Sequence, residues 1–559
     1  MAGKIQQVTK EYRIPGASFR GAPFFLTPEG LFSLLVLGSI LVFILWPVLA
    51  VFFQSIIIDG RLDFSEYTHL FTNEMGLLGN SVLVSTLSTL LSVMLGTCVS
   101  LYLTHTRLPG KRLVFGVLLL SIISPPFVSS LVYIMLFGRR GLVTHKMLGL
   151  TLDPYGWHGV VLMQTAGFTA LAALLILGVL HRVDRDQEYA AYDLGASSFH
   201  ALTGVTLPLA MPGLLVAGVV VFIRSLSDFG TPIIIGGRFS VLSTEAYLSV
   251  VGLYNMPRAA AMSITLLIPA LAAFLIYRRL MTGRSYGSST PRFEHGAERM
   301  PLSPLLLWFL AMVTWGYIGF EILKYATILA GSFTRTWGLD FTPTLKHFET
   351  LSASKLSSFF RSLRYAFIAG IAGAAMGAVL AYVLERKRPI GARFFDFIAD
   401  FPYIIPGPFF GIAYILAFHN PPLMLTGTAF IVVANCVYRQ LPISIKSGVA
   451  VLKQCRPEIE AGARDLGAKE RNVFLDIVTP LMKPAILIAF INTFTMTMIT
   501  IGAIIFLISP DTKVATVEMF GEIKRGRIGA ASALANMIIV TVLAVNLLFS
   551  WLYLRKRKQ

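Results

Sequence analysis

Cysteine is almost absent from this chain of 559 residues: Cys98, Cys436 and Cys455 stand singly, and two of them fall inside apolar runs. That spacing builds neither a disulfide framework nor a cysteine-based zinc site. The nine histidines show no HExxH and no paired ligand spacing, so a permanent metal site is not expected. Charge is equally scarce. Charged residues make up 14% of the chain against 55% hydrophobic ones, and a mean hydropathy of +0.71 lies far outside the range of soluble domains. A phosphate-binding loop is missing as well. Its nearest imitation, GARDLGAKE from Gly462 to Glu470, puts Ala468 between Gly467 and Lys469 and sets Glu470 where a magnesium-binding hydroxyl belongs. No His, Asp or Ser constellation clusters at a water interface, which speaks against a membrane-embedded enzyme.

What the chain has in quantity is long apolar segments. Twelve of them approach or exceed the roughly 20 residues that a spanning helix needs: 30–53, 79–103, 113–137, 158–180, 209–235, 259–280, 303–324, 359–384, 394–418, 426–444, 484–508 and 529–554. The expected class is an all-α membrane protein surrounded by lipid. Ahead of the first segment lie Lys4, Lys10, Arg13 and Arg20 without a small-residue cleavage site, so that segment reads as an uncleaved span. The net charge of +18 follows from the positive-inside rule rather than from a nucleic-acid partner. With a cytoplasmic N-terminus, the inner segments hold 29 of the 47 Lys and Arg, which places both termini in the cytoplasm.

The chain also repeats itself. At an offset of 272, Glu188, Ala191, Asp193, Leu194, Gly195, Ala196, Pro208, Leu209 and Pro212 meet Glu460, Ala463, Asp465, Leu466, Gly467, Ala468, Pro480, Leu481 and Pro484. Each copy follows the fourth segment of its half and precedes the fifth. Six is even, so the halves share one orientation and form a parallel repeat. The expected organisation is a cytoplasmic tail at 1–29, a first six-helix unit at 30–280, a cytoplasmic linker at 281–301 rich in Gly, Ser, Pro and charge, and a second six-helix unit at 302–559.

Each repeated loop reads as a short helix. Asp186 and Pro457 suit helix starts, and Glu188 and Glu460 sit near the favourable end of the helix dipole. The small residues that follow let another surface approach the backbone. These loops resemble the EAA loop of ATP-binding cassette (ABC) importer permeases at Glu188, Ala190, Ala191, Gly195, Ala196 and Pro208, and at Glu460, Ala461, Ala463, Gly467, Ala468 and Pro480. Tyr189 and Gly462 depart from it, standing where the consensus has alanine. With SLSDFGTPIIIGG in the region of the fifth segment and AIIFLISPDTKVAT after the eleventh, the fused form looks like the ferric-iron type, whose relatives carry thiamine, phosphonates or sugar phosphates.

The resemblance implies a type I importer permease fold in the bacterial inner membrane. It also implies a chain that binds no cofactor of its own, with ATP and Mg held by two copies of a separate ATPase subunit, and cargo presented by a periplasmic solute-binding protein. Each loop would then be a coupling helix received by an ATPase, with Glu188, Ala191, Asp193, Gly195, Ala196, Glu460, Ala463, Asp465, Gly467 and Ala468 as its residues. A secondary transporter of two parallel halves is the rival architecture, but it leaves the repeated Asp-Leu-Gly-Ala unexplained.

Charges within apolar segments mark candidate pathway residues. Arg224 and Asp228, four apart, either pair on one helical face or face a cavity with Ser225 and Ser227. Asp400 precedes FPYIIPGPFFG, whose Pro402, Pro406 and Pro408 must interrupt a helix, as Pro125 and Pro126 do in the third segment. The offset carries Arg224 to Met496 and Asp228 to Thr500, so the binding surface is expected to be asymmetric. Thr497 and Thr500 complete the candidate pathway. Arg439 is expected to snorkel from the end of the tenth segment, and Gly373 and Gly377 to serve helix packing.

Overall fold

Inside a bilayer each backbone polar group must find its partner within the protein, so uninterrupted apolar runs become helices. The computed structural model describes residues 28–151, 153–183, 185–281, 302–349, 351 and 353–557. They are mostly helical, and the strands among them form two small hairpins that follow the first span of each half, Ile57–Ile58 with Arg61–Leu62 and Thr334–Thr336 with Asp340–Pro343. The expected tail and linker fall almost entirely outside the described residues. Among those residues nine helices are long and apolar enough to cross a membrane, or eleven if two bent pairs each count as one crossing.

The first half comprises Leu31–Ile56, Met75–His105, a broken third span (Lys111–Ile122 and Phe127–Phe137), Trp157–Leu180, Leu207–Leu226 and Met256–Met281. In the second half come Pro304–Phe333, Ala353–Tyr382, a broken ninth span, Ala429–Gln454, Lys483–Ile499 and Ile528–Arg557. Prolines 125, 126 and 406 stand at the two breaks, and the halves of the ninth span, Ala392–Ile404 and Gly407–Phe418, meet at 117°. The tenth helix is long enough to cross but is not among the eleven by composition, because Arg439, Lys446 and Lys453 lie along it.

Two expected spans were too long. The fifth ends at Leu226 rather than 235 and the eleventh at Ile499 rather than 508. In each case the chain turns into short elements: Gly230–Ile235 and Leu242–Val251 in one half, Ile504–Phe506 and Ala515–Lys524 in the other. Hydropathy alone does not distinguish apolar residues that continue a span from apolar residues that form a separate short element.

The repeat is visible in three dimensions. Adding 272 to Trp157 and Met256, which start the fourth and sixth spans, gives Ala429 and Ile528, which start the tenth and twelfth. The halves do not pack as separate bundles. Leu37, Ile40 and Ile44 of the first span are buried with Leu380, Ile398 and Leu441 of the second half, and Tyr414 donates a hydrogen bond to the Phe43 carbonyl at 2.7 Å. Reciprocally, Ile318 and Tyr317 of the seventh span are buried against Val99 and Tyr102 of the second.

Small residues set the close approaches within each half. A Cβ on Gly96 would stand 2.8 Å from the Ala173 amide nitrogen, joining the second and fourth spans. A Cβ on Gly377 would stand 2.4 Å from Ser444 Cβ, and one on Gly373 3.1 Å from Thr493, so both glycines lie at close helix contacts. Leu35, Leu90, Trp308, Met312, Ile371 and Leu547 are exposed on the outside of the bundle, as a lipid-facing surface requires.

Candidate coupling helices and membrane pathway

Arg185–Asp193 and Glu458–Asp465 are the short helices of the two repeated loops. Both end in the same backbone device. The Ala196 amide donates to the Ala191 carbonyl at 3.0 Å and the Gly195 amide to Tyr192 at 2.7 Å; Ala468 to Ala463 and Gly467 to Arg464 repeat this at 3.0 and 2.8 Å. This is a Schellman cap, which needs a left-handed residue after the last helical turn. Gly195 and Gly467 supply it, with φ of +86° and +88°, and open space surrounds both. The repeated glycine is therefore fixed by backbone conformation rather than by close approach within the chain.

The cap turns the preceding leucine outward. Leu194 is 89% and Leu466 92% exposed, and Asp193 and Asp465 are exposed beside them. Glu188 and Glu460 point the other way and are buried, at 4% and 5%. The Glu188 carboxylate accepts a hydrogen bond from Thr206 Oγ1 at 2.6 Å and lies 3.0 Å from His105 Nε2, at the end of the second span. Glu460 Oε1 lies 2.9 Å from Arg386 Nε, just past the eighth span, while Oε2 lies 3.4 Å from Arg464. Arg386 also donates to the carbonyls of Leu452 and Cys455 at 2.9 and 2.7 Å, fastening the tenth helix to the same point. Each glutamate thus ties its short helix to the bundle, a role that a dipole argument from sequence does not reveal. Beside the second copy, Glu470 is held by Lys387 and Arg464 at 2.6 and 2.8 Å. Burial alone would raise its pKa, and the two cations bring it below the usual carboxylate range.

Both short helices lie at one end of the bundle. Tyr382, at the end of the eighth span, touches Glu460, while Lys355, at the start of that span, lines a cavity at the other end. That cavity holds about 1270 Å³ between the two halves. A second one, of about 280 Å³, lies deeper. The deep cavity is lined from the first half by Pro125, Pro126, Gln164, Arg224, Ser227 and Asp228, and from the second by Lys324, Pro402, Arg439 and Thr500.

Arg224 and Asp228 do not form an ion pair, because the helix stops at Leu226 and the four-residue spacing no longer holds them on one face. Asp228 instead accepts from the amides of Gly230 and Thr231 at 3.0 and 3.2 Å and from Gln164 Nε2 at 3.1 Å. Gln164 is itself held by Ser88 and Ser225 at 3.0 and 2.6 Å. Arg224 reaches into the cavity, exposed.

Thr500 also lines the cavity and accepts a hydrogen bond from Arg439 Nη1 at 3.3 Å. Arg439 is therefore a lining residue and not a snorkelling one. Its position within an apolar segment was the available signal, since charges there are functional candidates by default. Two expected pathway residues lie elsewhere. Thr497 is buried and donates to the Thr493 carbonyl of its own helix at 2.7 Å. Asp400 pairs with Lys446 at 3.1 Å, alongside Asp396 at 2.8 Å, away from the cavity lining. The Ser227 hydroxyl donates to Ile223 within its helix and borders the cavity.

Beside the deep cavity, whose lining includes Phe127 and Phe229, the halves meet in an aromatic plug that reaches Phe520, two residues from Glu522 of the large cavity's lining. Phe127 stacks on Phe520 with centroids 4.8 Å apart, and Phe229, edge-on to Phe127, stacks on Tyr247 at 5.1 Å. Phe506 closes the set against Tyr247 at 5.7 Å.

Two six-span repeats around a shared cavity, each with an inward-anchored short helix at the same end, define the permease class of transport protein. The chain belongs to the family of binding-protein-dependent transport system inner membrane components, which matches it twice, over residues 88–284 and 373–558. It is a multi-pass inner-membrane permease subunit of an ABC importer with two fused halves, which sets the secondary-transporter reading aside. Over 534 residues it is 30% identical to the ferric transport system permease protein FbpB of Actinobacillus pleuropneumoniae, covering 91% of this chain and 76% of that one. FbpB 1 of Haemophilus influenzae is 31% identical over 498 residues, covering 86% and 78%. The molybdenum transport system permease protein ModB of Escherichia coli K12 is 35% identical over 156 residues, 27% of this chain and 68% of that one.

Proposed function

We propose that this chain forms the membrane pathway of an importer for ferric iron, driven by two copies of a separate ATPase subunit that bind ATP and Mg. The observation that carries the reading is the pair of capped helices, each presenting an exposed leucine to a partner while a buried glutamate ties it to the spans. An ATPase groove closing around Leu194 and Leu466 would move both helices, and the Glu188 and Glu460 anchors would pass that motion to the second, eighth and tenth helices. Asp193, Ala191, Gly195 and Ala196, with Asp465, Ala463, Gly467 and Ala468, shape the same two docking ends.

A periplasmic solute-binding protein delivers cargo to the large cavity at the opposite end. Separation of Phe127, Phe229 and Tyr247 from Phe506 and Phe520 opens the way to the deep cavity, and alternating access follows from opening one end at a time. Arg224, Ser227, Asp228 and Thr500 border the cargo there. Both termini and the linker lie on the ATPase side, in the cytoplasm, because six spans per half return the chain to the side on which it started. Support for iron comes from the resemblance to the ferric transport system permease protein along most of the chain.

The test is ATPase activity of the complex in lipid, assembled with the ATPase and binding protein encoded beside this chain. Stimulation by ferric iron, and not by an alkylphosphonate, a hexose phosphate or thiamine, is the expected result. Stimulation by one of the others alone would replace iron as cargo. An ATPase that never co-purifies would overturn the coupling reading.

A further inference from the structure

Both cavities carry excess positive charge. The large outer one is lined by Arg139, Arg140, Lys146, Arg335, Lys355 and Arg527, against a single lining carboxylate, Glu522. Asp153 and Asp340 pair with Arg139 and Arg335 at 3.1 and 3.6 Å from outside the lining. Glu522, fully buried, is shared among Lys355, Arg525 and Arg527 at 3.3, 2.9 and 3.8 Å. Cations still outnumber carboxylates more than twofold.

The deep cavity repeats the imbalance. Lys324 is neutralised by Glu321 at 2.6 Å, and the one lining carboxylate, Asp228, is occupied by two amides and Gln164. Arg224 and Arg439 have no carboxylate partner among the described residues. Arg439 also lies in an unfavourable place for a cation. Its guanidinium packs against Gly407, where a Cβ would come within 2.6 Å of Nη2, and Gly407 begins the helix Gly407–Phe418. A helix N-terminus carries partial positive charge, so like signs are pressed together inside the membrane, where unpaired charge is already costly. An anion lying between Arg224 and Arg439 would relieve both.

We infer that the species crossing this chain is an anion, recognised through oxygen atoms by Arg224 and Arg439. This rests on the importer reading above and narrows its cargo: ferric iron travels as a negatively charged oxygen-rich chelate, not as a bare trivalent cation. A bare Fe³⁺ ion would meet net repulsion in both cavities in turn, whereas an anion is drawn into the first and passed to the second. Guanidinium groups suit such oxyanion contacts because their donors are planar and forked.

The two sources of such an anion are a ferric chelate and a free oxyanion, and dual labelling separates them. Cells expressing the full importer are given ferric citrate with iron and citrate separately labelled, and in parallel labelled molybdate. Iron and citrate entering together in fixed ratio is the expected result. Entry of molybdate without iron keeps the anion inference and removes iron from the proposed function.

The variant Arg224→Gln with Arg439→Gln should lower uptake at least tenfold at unchanged membrane level and unchanged ATPase co-purification, with Lys at both positions restoring part. If the glutamine protein is lost from the membrane, the lysine protein and each single variant carry the comparison. Iron entering without citrate, or a double variant as fast as the parent, overturns the inference. Absence of any ATP-dependent uptake by the parent chain would instead count against the importer reading.

Discussion

Arg386 and Glu460 form a largely buried ion pair, Nε to Oε1 2.9 Å, with side chains 13% and 7% exposed. It joins the end of the eighth span to the second short helix, and His105 with Glu188 makes the corresponding joint in the first half. Removing one member of a buried pair leaves an uncompensated charge and costs about 3–5 kcal/mol. Arg386→Ala is therefore expected to loosen residues 458–472, seen as faster limited proteolysis there, and to reduce transport severalfold. Combining it with Glu460→Ala should recover part of the loss, because neither charge is then stranded. Additive losses in the double variant would mean that the two side chains act independently.

Leu194 and Leu466 contribute almost nothing to the packing of this chain, being 89% and 92% exposed. Replacing both with Asp should leave the amount of membrane-inserted protein and its thermal stability within about 0.5 kcal/mol, as for ordinary surface changes. Co-purification of the ATPase should fall by at least tenfold. Normal ATPase recovery would move the docking surface elsewhere.

The class and the repeat were legible in the sequence because each rests on local chemistry: apolar length, and identity at a fixed offset. The loop glycines read there as room for another surface, whereas Gly195 and Gly467 also supply the left-handed residue of a helix cap. Helix ends were less legible. Residues 227–235 and 500–508 are largely apolar but continue as short separate elements after the spans end, and only tertiary packing distinguishes that from an unbroken crossing. The lining of the deep cavity was partly legible. Arg224, Ser227, Asp228 and Thr500 line the deep cavity, whereas Asp400 and Thr497 do not, since nothing in a helical segment's composition says which face looks inward. The exchange of first spans between halves left no signal, because lipid and a neighbouring helix are equally apolar surroundings.

Gly467 has φ +88° with nothing within 4 Å of a Cβ placed on it. Sterically Ala would fit, so the cost of Gly467→Ala is that of the left-handed conformation alone, about 1–2 kcal/mol. Asn tolerates that region and should cost less. Hydrogen exchange at the amides of Gly467 and Ala468, which close the cap, is expected to speed up for Ala and to change little for Asn. Equal effects of the two would show that the loop senses bulk rather than backbone conformation.

Glu470 gives the second short helix a pH dependence of definite sign. Its pKa is lowered from an ordinary value of 4.5 because Lys387 and Arg464 outweigh burial. A depressed carboxylate stabilises the fold above its unfolded pKa, and that contribution disappears as pH falls through the folded one. Protection of residues 458–472 against proteolysis should therefore be flat from about pH 8 to about pH 5 and decline below about pH 4.5. Glu470→Gln should remove part of that decline; an unchanged profile would assign the dependence to other carboxylates.

Phe127 and Phe520 stack across the two halves at 4.8 Å; Phe127 lines the deep cavity, and Phe520 lies two residues from Glu522, which lines the large one. The plug holds through apolar contact and ring stacking, and truncating a buried phenylalanine typically costs about 3–5 kcal/mol. Phe520→Ala removes that stabilisation only from states in which the halves are closed at this level, so it should shift the population toward the open arrangement. Ser129, which lines the deep cavity, provides the reporter once replaced by cysteine in a chain whose native cysteines are serine. Its labelling by a membrane-impermeant thiol reagent applied from the side of the large cavity is expected to rise at least tenfold in Phe520→Ala and only slightly in Phe520→Leu. ATPase turnover without cargo should rise with it, because fewer of the closing contacts must then be broken by the binding protein. Labelling as slow as in the parent would mean that the barrier between the cavities lies in the aliphatic layer of Val128, Leu131 and Val132, buried along the same helix, and not in the rings.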